Sequence, residues 1–396
     1  MTLYLVNDLD KHFVIKLYFY TLTFQESLMK TYTSLLLFLF VVFQIACAQQ
    51  GKYRLIVGTY TNTGKSQGIY LYDVDIKTAT STKAFLMAGI VNPSYLALTA
   101  DKKFVYAVSE DGSNSLANAF SFDEKNSSLN FLNSISTLGS DPCYISVTKK
   151  HVFTANYSSG SISVFGRGTD GTLTELVQQI QHTGKGPNSE RQKEPHVHQT
   201  ILSPDGNYLI SNDLGTDQVT VYSYSPKAVL GVLTPWDTLK VKPGSGPRHL
   251  IFSKNGKKIY LLHELDGTLS VVAVKNGKLS LIQETTIRSK GEIKASAADI
   301  HLSPDGKFLY ATNRAPANTI TCFSVAKNGQ LTLVQQIQSG GDGPRNFSMT
   351  PDGKYLFIGN QNSDNVAIFK RDIQKGLLSD THQRIGVPVP VCLIFY

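Results

Sequence analysis

Charge and cysteine are both scarce in this chain, and each shortage removes a class of function. Only 17% of the 396 residues are charged while 41% are hydrophobic, which supports a large core and excludes a disordered protein. The formal net charge of +8 is scattered, with no Lys/Arg block and no recognition-helix pattern. A nucleic-acid surface is therefore not expected, whereas attraction to small anions is. Four cysteines without CxxC or CxH spacing argue against a disulfide framework and a zinc site; Cys143, Cys322 and Cys392 read as core thiols. No Gly-x-Ser-x-Gly elbow opens a helix and no P-loop is present, so serine-hydrolase and nucleotide chemistry are not indicated. Neither a metal nor a cofactor is expected.

Long apolar runs are also missing. The one conspicuous stretch, Leu35–Phe43, is too short for a confident membrane span. It follows Met29 and Lys30 and precedes Ala46-Cys47-Ala48, the layout of a signal peptide with an A-x-A-like cleavage site. Residues 29–48 are thus expected to direct export to the periplasm or beyond. Residues 1–28 read as an upstream extension and 49–396 as the mature domain. Anchoring by lipid through Cys47 is the weaker alternative, because Gln44 stands where such signals carry an aliphatic residue. Removing residues 1–48 takes away three Lys and three Asp/Glu, so the mature chain keeps its +8.

What the chain has in quantity is glycine, tyrosine and phenylalanine, at 31, 19 and 20 residues, a mix that favours short strands and turns. Ser203-Pro204-Asp205-Gly206, Ser253-Lys254-Asn255-Gly256, Ser303-Pro304-Asp305-Gly306 and Thr350-Pro351-Asp352-Gly353 align on one another. Each is a turn in which glycine supplies a positive φ, flanked by apolar runs that pair as a hairpin. Third and fourth strands follow, as in Leu269–Val274 and Leu279–Thr285. Weaker copies lie at Ser94–Ser109 and Cys143–Asn156, and prolines 93, 142, 195, 247, 344 and 390 open most copies. Four antiparallel strands in a repeat of about 50 residues describe a propeller. The prediction is an all-β, seven-bladed β-propeller. Val391–Phe395 is left as a lone first strand, and Tyr53–Thr59, Ile69–Asp73 and Lys83–Ala88 lack one, so the C-terminal strand is expected to complete the N-terminal blade and close the ring. A monomer is the expected state.

Aligning on the turns gives two rings of residues at one mouth of the channel. Beginning the innermost strand are Ser94, Cys143, His198, Arg248, Ala298, Arg345 and Val391. Leaving the second strand are Tyr60, Glu110, Tyr157, Asp213, Glu264, Arg314 and Gln361. Loops are polar in general, and inter-blade salt bridges would account for single pairs. The gathering of His198, Arg248, Glu264, Arg314 and Arg345 in one sector of consecutive blades is harder to reduce to structure, and concave sites of this kind bind ligands. His301, inside a strand, reads as a satisfied core histidine or a channel-lining contact. Asp213 and Asp217 are weak candidates for a cation.

Gly246-Pro247-Arg248-His249, His263-Glu264-Leu265, Ala297-Ala298-Asp299-Ile300-His301, Asn313-Arg314 and Gly343-Pro344-Arg345 resemble the lactonase-type seven-bladed propellers, a family that includes bacterial 6-phosphogluconolactonases and fungal carboxymuconate-lactonising enzymes. The resemblance runs from about Tyr53 to the C-terminus and is strongest over residues 195–370. It implies a lactone site built from His198, Arg248, Glu264 and Arg314. The pattern departs at Pro195-His196-Val197-His198, where two histidines compete and the turn alignment favours His198. The export signal is a second departure, because phosphogluconolactone is a cytoplasmic metabolite.

Lactone opening needs an activated water, a stabilised oxyanion and a proton for the leaving alkoxide. Glu264 or His198 is the expected base, histidine being the side chain that titrates near neutrality. Arg248 and Arg314 suit the oxyanion or a substrate anion. Arg345, His249, Asn313, Gln361 and His301 are the expected substrate contacts for a small, anionic lactone. Two other readings stay open: a non-catalytic exported propeller that binds a protein or glycan, and a lactonising enzyme acting on a muconate-like dicarboxylate.

Overall fold

The computed structural model describes residues 51–396 apart from 229 and 293 and, before them, residues 13, 15–21, 24, 28–32, 34 and 35, which are helical. Most of the expected signal segment, including Ala46–Ala48, lies outside the described residues. Tyr53–Tyr396 is one compact unit and Met1–Lys52 another. Among the described residues no helix is long and apolar enough to cross a membrane.

The larger unit contains twenty-eight strands in seven four-stranded antiparallel sheets. Here the blades are numbered in chain order, with strands A to D running from the channel outward. The first blade takes its strand A from the C-terminus: Pro390–Phe395 pairs with Lys52–Thr59, with Leu55 opposite Phe395 and Val57 opposite Leu393. The expected ring closure is what the structure contains. The sequence repeat therefore reads correctly as seven blades, each out of step with its sheet at the chain ends only.

The turns explain why the repeat is so regular. In the fourth blade Asp205 accepts the Asn207 N–H, Ser203 Oγ accepts the Tyr208 N–H, and Gly206 N–H donates to Ser203 O at 2.9 Å with φ +73°. The same pattern recurs around Gly306 and Gly353, with φ of +71° and +69°, a conformation costly for any residue with a Cβ. The cores lie between neighbouring sheets rather than at the centre. One, for example, joins Leu55 and Tyr72 of the first blade to Phe357 and Ile368 of the seventh. Every blade thus depends on two neighbours. Cys143, Cys322 and Cys392 are buried free thiols.

At the start of strand A the ladder is irregular, and this places the site. In the third, fourth, fifth and seventh blades one residue is skipped between paired neighbours: Cys143, His198, Arg248 and Arg345. A bulge leaves the extra residue out of the ladder and re-aims its side chain. One of the two predicted rings is therefore a ring of bulges. The other needs a correction. Counting nine residues from the turn acid puts Leu214, not Asp213, in register with Glu264, Arg314 and Gln361. The backbone agrees: Leu214 N–H donates to His196 O as Glu264 N–H donates to Gly246 O and Arg314 N–H to Ser296 O. Asp213 is the last residue of strand B and is fully buried.

The closing strand contributes Val391, Cys392 and Leu393, all at most 5% exposed. Burial of each large apolar side chain stabilises by about 1.5–3 kcal/mol, against a total stability of only about 5–15 kcal/mol for a typical domain. Leu393→Ala is expected to cost about 2–5 kcal/mol in denaturant unfolding, and deletion of residues 391–396 to abolish the native transition. A truncated chain that melts with its parent would show that the ring does not rest on this strand.

Candidate active site

Glu264, at the end of strand B of the fifth blade, is the centre of the mouth. Its Oε2 accepts Arg248 Nε at 2.8 Å and lies 3.2 Å from Arg314 Nη2, and its Oε1 accepts Arg191 Nη2 at 2.8 Å. Burial alone would discourage the charge. Arg314, Arg248 and Arg191 outweigh it and hold the Glu264 pKa down at about 2. Glu264 is therefore a permanent carboxylate with both oxygens engaged.

The arginines keep capacity beyond this bond. Arg248 is 2% exposed, and its Nη1 donates to Ala298 O at 2.9 Å. Arg314 Nε donates to Ser296 O at 3.1 Å and Nη2 reaches Ala297 O at 3.4 Å. Among the described residues no protein acceptor bonds Arg248 Nη2 or Arg314 Nη1. Burial lowers the Arg314 pKa to about 10 and lowers that of Arg248 as well, in both cases against the pull of Glu264. Both guanidiniums are cations held in place with donors to spare.

His198 lies beside this cluster. Its Nε2 is 3.9 Å from Glu264 Oε2 and its Nδ1 is 3.6 Å from Cys143 Sγ. Burial and the nearby arginines keep its pKa well below the usual histidine value, so the ring is neutral. His196, the competing histidine, stacks on Tyr157 at 4.4 Å and contacts Tyr157 O through Nδ1 at 3.0 Å.

Across the mouth is a second group. Arg345 Nη2 donates to Tyr60 Oη at 2.8 Å, and Tyr60 Oη and Ser94 Oγ donate to Glu110 Oε2 at 2.9 and 2.6 Å. Burial raises the Glu110 pKa. Four arginines thus face two carboxylates around one opening. Beside Arg248 and Arg345 is a cavity of about 10 Å³, bordered also by His249, Asn346, Ser94 and Cys143, which is room for about one water.

The remaining predicted contacts divide. His249 lies one residue deeper, is 3% exposed, and bonds Asp299 Oδ1 through Nδ1 at 2.9 Å. Gln361 occupies the mouth ring of the seventh blade, where its N–H donates to Gly343 O. Asn313 is not a mouth residue: it is 1% exposed, and its Oδ1 accepts Ser296 N–H, bracing the segment on which Arg314 rests. Of the two readings open for His301, a satisfied histidine and a channel contact, the structure supplies the partner that the first requires. His301 sits at the turn end of strand A, away from the mouth, with Nε2 2.9 Å from Asp299 Oδ2. Asp213 and Asp217 are consumed by structure. The first accepts the N–H groups of His196, Gly215 and Thr216, and the second those of Gly244 and Gly246.

Two residues hold places in the site that the sequence reading does not assign. Arg191 belongs to the loop joining the third and fourth blades and is 43% exposed. It brings charge to the sector where the fourth blade supplies Leu214. Its surroundings, Ser189-Glu190-Arg191-Gln192-Lys193-Glu194, look like any solvated loop, and only the loop's length was a signal. Asp299 is the other. A carboxylate within Ala297-Ala298-Asp299-Ile300 breaks an apolar strand, and a buried polar group is the informative exception.

Comparison with known proteins agrees with the fold. Residues 54–395 match the family described as Lactonase, 7-bladed beta-propeller. A 6-phosphogluconolactonase of Formosa agariphila is 35% identical over 84% of this chain and 96% of its own length. A crystal structure of a Bacteroides fragilis protein superposes with a TM-score of 0.84 at 42% identity, covering 88% of this chain and 99% of that one. The periplasmic gluconolactonase of Pseudomonas aeruginosa gives a TM-score of 0.82 at 35% identity, covering 87% and 99%. On matches of this extent, the chain belongs to the lactonase family of seven-bladed β-propellers.

Proposed function

We propose that this protein hydrolyses a sugar lactone to the corresponding aldonic acid at the Glu264 mouth. The observation that carries the reading is the pair of arginines, Arg248 and Arg314, fixed on one carboxylate with free donors remaining. Donors held rigid before reaction stabilise an acyl oxyanion far better than mobile water does. The relatives named as 6-phosphogluconolactonase and gluconolactonase support the substrate class.

In this mechanism the lactone carbonyl takes the free Arg248 and Arg314 N–H groups. Glu264 orients them and offsets their charge. It is a poor candidate for the base, because a carboxylate held near pH 2 with both oxygens occupied has little affinity for a proton at neutral pH. A neutral imidazole is the better acceptor, and His198 and His249 stand 5.2 Å apart beside the arginines. Four arginines against two carboxylates suit a substrate that carries a negative group, a carboxylate or a phosphate, with Arg345 as its contact.

Export rests on the Met29-Lys30 start, the Leu35–Phe43 run and Ala46-Cys47-Ala48. It favours an unphosphorylated lactone as the substrate. The periplasmic relative supports the same reading.

Two measurements test this. In a pH-stat, the mature protein is expected to open glucono-δ-lactone or its 6-phosphate well above the spontaneous rate. Arg314→Gln is expected to lower kcat about 10²–10³-fold, and Glu264→Gln to lower activity further by releasing three arginines at once. No rate above background on either lactone would sink the hydrolase reading. For export, expression of the whole sequence in a bacterium with a periplasm is expected to yield a periplasmic protein beginning at Gln49. A cytoplasmic protein that keeps Met29 would refute it.

A further inference from the structure

The innermost strand of each blade faces the channel without a ladder partner on that side. Its backbone N–H groups need other acceptors. In three blades a side chain of the preceding blade supplies one from a shared position, the residue after the mouth residue of strand A, whereas Tyr95 and Tyr144 hold that position in the second and third blades without such a bond. Gln199 Oε1 accepts Leu250 N–H at 2.7 Å, Asp299 Oδ2 accepts Phe347 N–H at 3.2 Å, and Asn346 Oδ1 accepts Leu393 N–H at 2.7 Å. His249 holds the same position in the fifth blade and takes no backbone N–H. It is turned instead onto a side chain, Asp299 Oδ1.

Asp299 is built to receive it. Besides His249 it accepts His301 Nε2, Asn346 Nδ2 at 2.6 Å and Phe347 N–H, and these partners hold its pKa far below the carboxylate range against the cost of burial. An ionised Asp299 fixes the proton of His249 on Nδ1. Nε2 is then a lone pair, with Arg248 Nη1 at 3.5 Å and the water-sized cavity beside it. The ring is clamped between Tyr144, Tyr95 and His198, at centroid distances of 5.5, 6.0 and 5.2 Å. His198, by contrast, has only a thiol near one nitrogen and Glu264 at 3.9 Å from the other.

We propose that His249, oriented by Asp299, is the general base that activates the hydrolytic water, with that water seated in the cavity beside Arg248 and Arg345. The assignment rests on the lactonase reading and sharpens it. His249 Nε2 takes one proton from the water as the oxygen bonds to the lactone carbonyl carbon. The resulting oxyanion is held by Arg248 and Arg314. The ring C–O bond then breaks, and the proton on Nε2 passes to the leaving alkoxide, giving the hydroxy acid and a neutral imidazole. An oriented histidine that accepts and returns one proton in this way needs no covalent intermediate.

The charged and titratable groups around His249 are Arg248 on its own strand, Asp299 and His301 on the sixth blade, Arg345 on the seventh, His198 on the fourth, Cys143 and Tyr144 on the third and Tyr95 on the second. Burial and Arg248 lower the His249 pKa to about 4, against the pull of Asp299. The base is therefore unprotonated, and competent, throughout the neutral range. Activity is lost only on the acid side, as the ring gains its proton.

The test is steady-state lactone hydrolysis by His249→Asn, His198→Asn and Asp299→Asn in the otherwise intact chain. Asparagine can still donate to Asp299 but lacks Nε2. His249→Asn is expected to lower kcat about 10²–10⁴-fold with little change in KM, while His198→Asn loses less than about tenfold in kcat. Asp299→Asn is expected to shift the acid limb of kcat/KM to lower pH, a displacement that a loss of packing alone does not produce. Nitrogen-15 NMR of the wild-type imidazoles is expected to show His249 protonated on Nδ1 at pH 7, which checks the dyad without turnover. A kcat for His249→Asn close to wild type, or a reversed order of the two histidine variants, would overturn this assignment and leave the lactonase reading intact. An Nε2-protonated His249 would overturn it equally. Absence of wild-type turnover on every lactone would overturn the lactonase reading and this assignment with it.

Discussion

The pairing of the C-terminal strand with Lys52–Thr59 is the interaction on which the rest depends, and it does more than close a ring. Leu393 N–H of that strand donates to Asn346 Oδ1, Asn346 Nδ2 donates to Asp299, and Asp299 accepts His249. The last residues of the chain are thus three hydrogen bonds from the imidazole beneath the mouth. An open arc of six blades could still present Arg248 and Glu264 side by side. It would leave Asn346 without its partner across the seam, and Asp299 would lose part of the support that keeps it ionised and still.

Propeller geometry also explains why charge concentrates where it does. Strand A carries its bulge at the same edge in successive blades, and the bulged residue leaves the ladder there. Four bulges deliver Cys143, His198, Arg248 and Arg345 to one opening. Strand B ends at that edge too, so Glu264 and Arg314 arrive from the next ring outward. Two rings of side chains, one residue deep each, are enough to assemble a site from blades whose sequences need only differ at those positions.

Much of this was legible in the sequence because it is governed by turns. A Pro-Asp-Gly turn fixes register, and register fixes which residues fall at the mouth; His198, Arg248, Glu264 and Arg314 follow by counting. The count fails once, at Asp213, which lies one place short of Leu214. Arg191 was beyond reach for a different reason. Where a loop residue lands depends on the path of its loop, and no periodicity governs that path. Asn313 and His301 could not be assigned from sequence alone, because it shows a polar side chain but not the partner that satisfies it. In the fold Asn313 Oδ1 takes the Ser296 N–H and His301 Nε2 bonds Asp299, while Asn313 Nδ2 is buried with no partner among the described residues.

That distinction separates structure from function throughout the channel. Buried ionic groups seldom add net stability, since well-packed apolar residues of similar volume often do as well or better. The cluster of Arg191, Arg248, Arg314 and Glu264 therefore has no strong structural reason to exist. Gln199 and Asn346 do have one, because they complete backbone groups that would otherwise lie orphaned at an inner sheet edge. His249 shares their position and not their duty. The polar interior accordingly contains two populations: side chains whose bonding is consumed by the fold, and a few atoms with capacity left over. Of the second population, the spare N–H group of Arg248 and Nε2 of His249 belong to residues that wall one small cavity under one mouth, and Arg248 links that wall to the guanidinium pair it forms with Arg314 on Glu264. A site in which the oxyanion and the attacking water oxygen end on one carbon requires that juxtaposition.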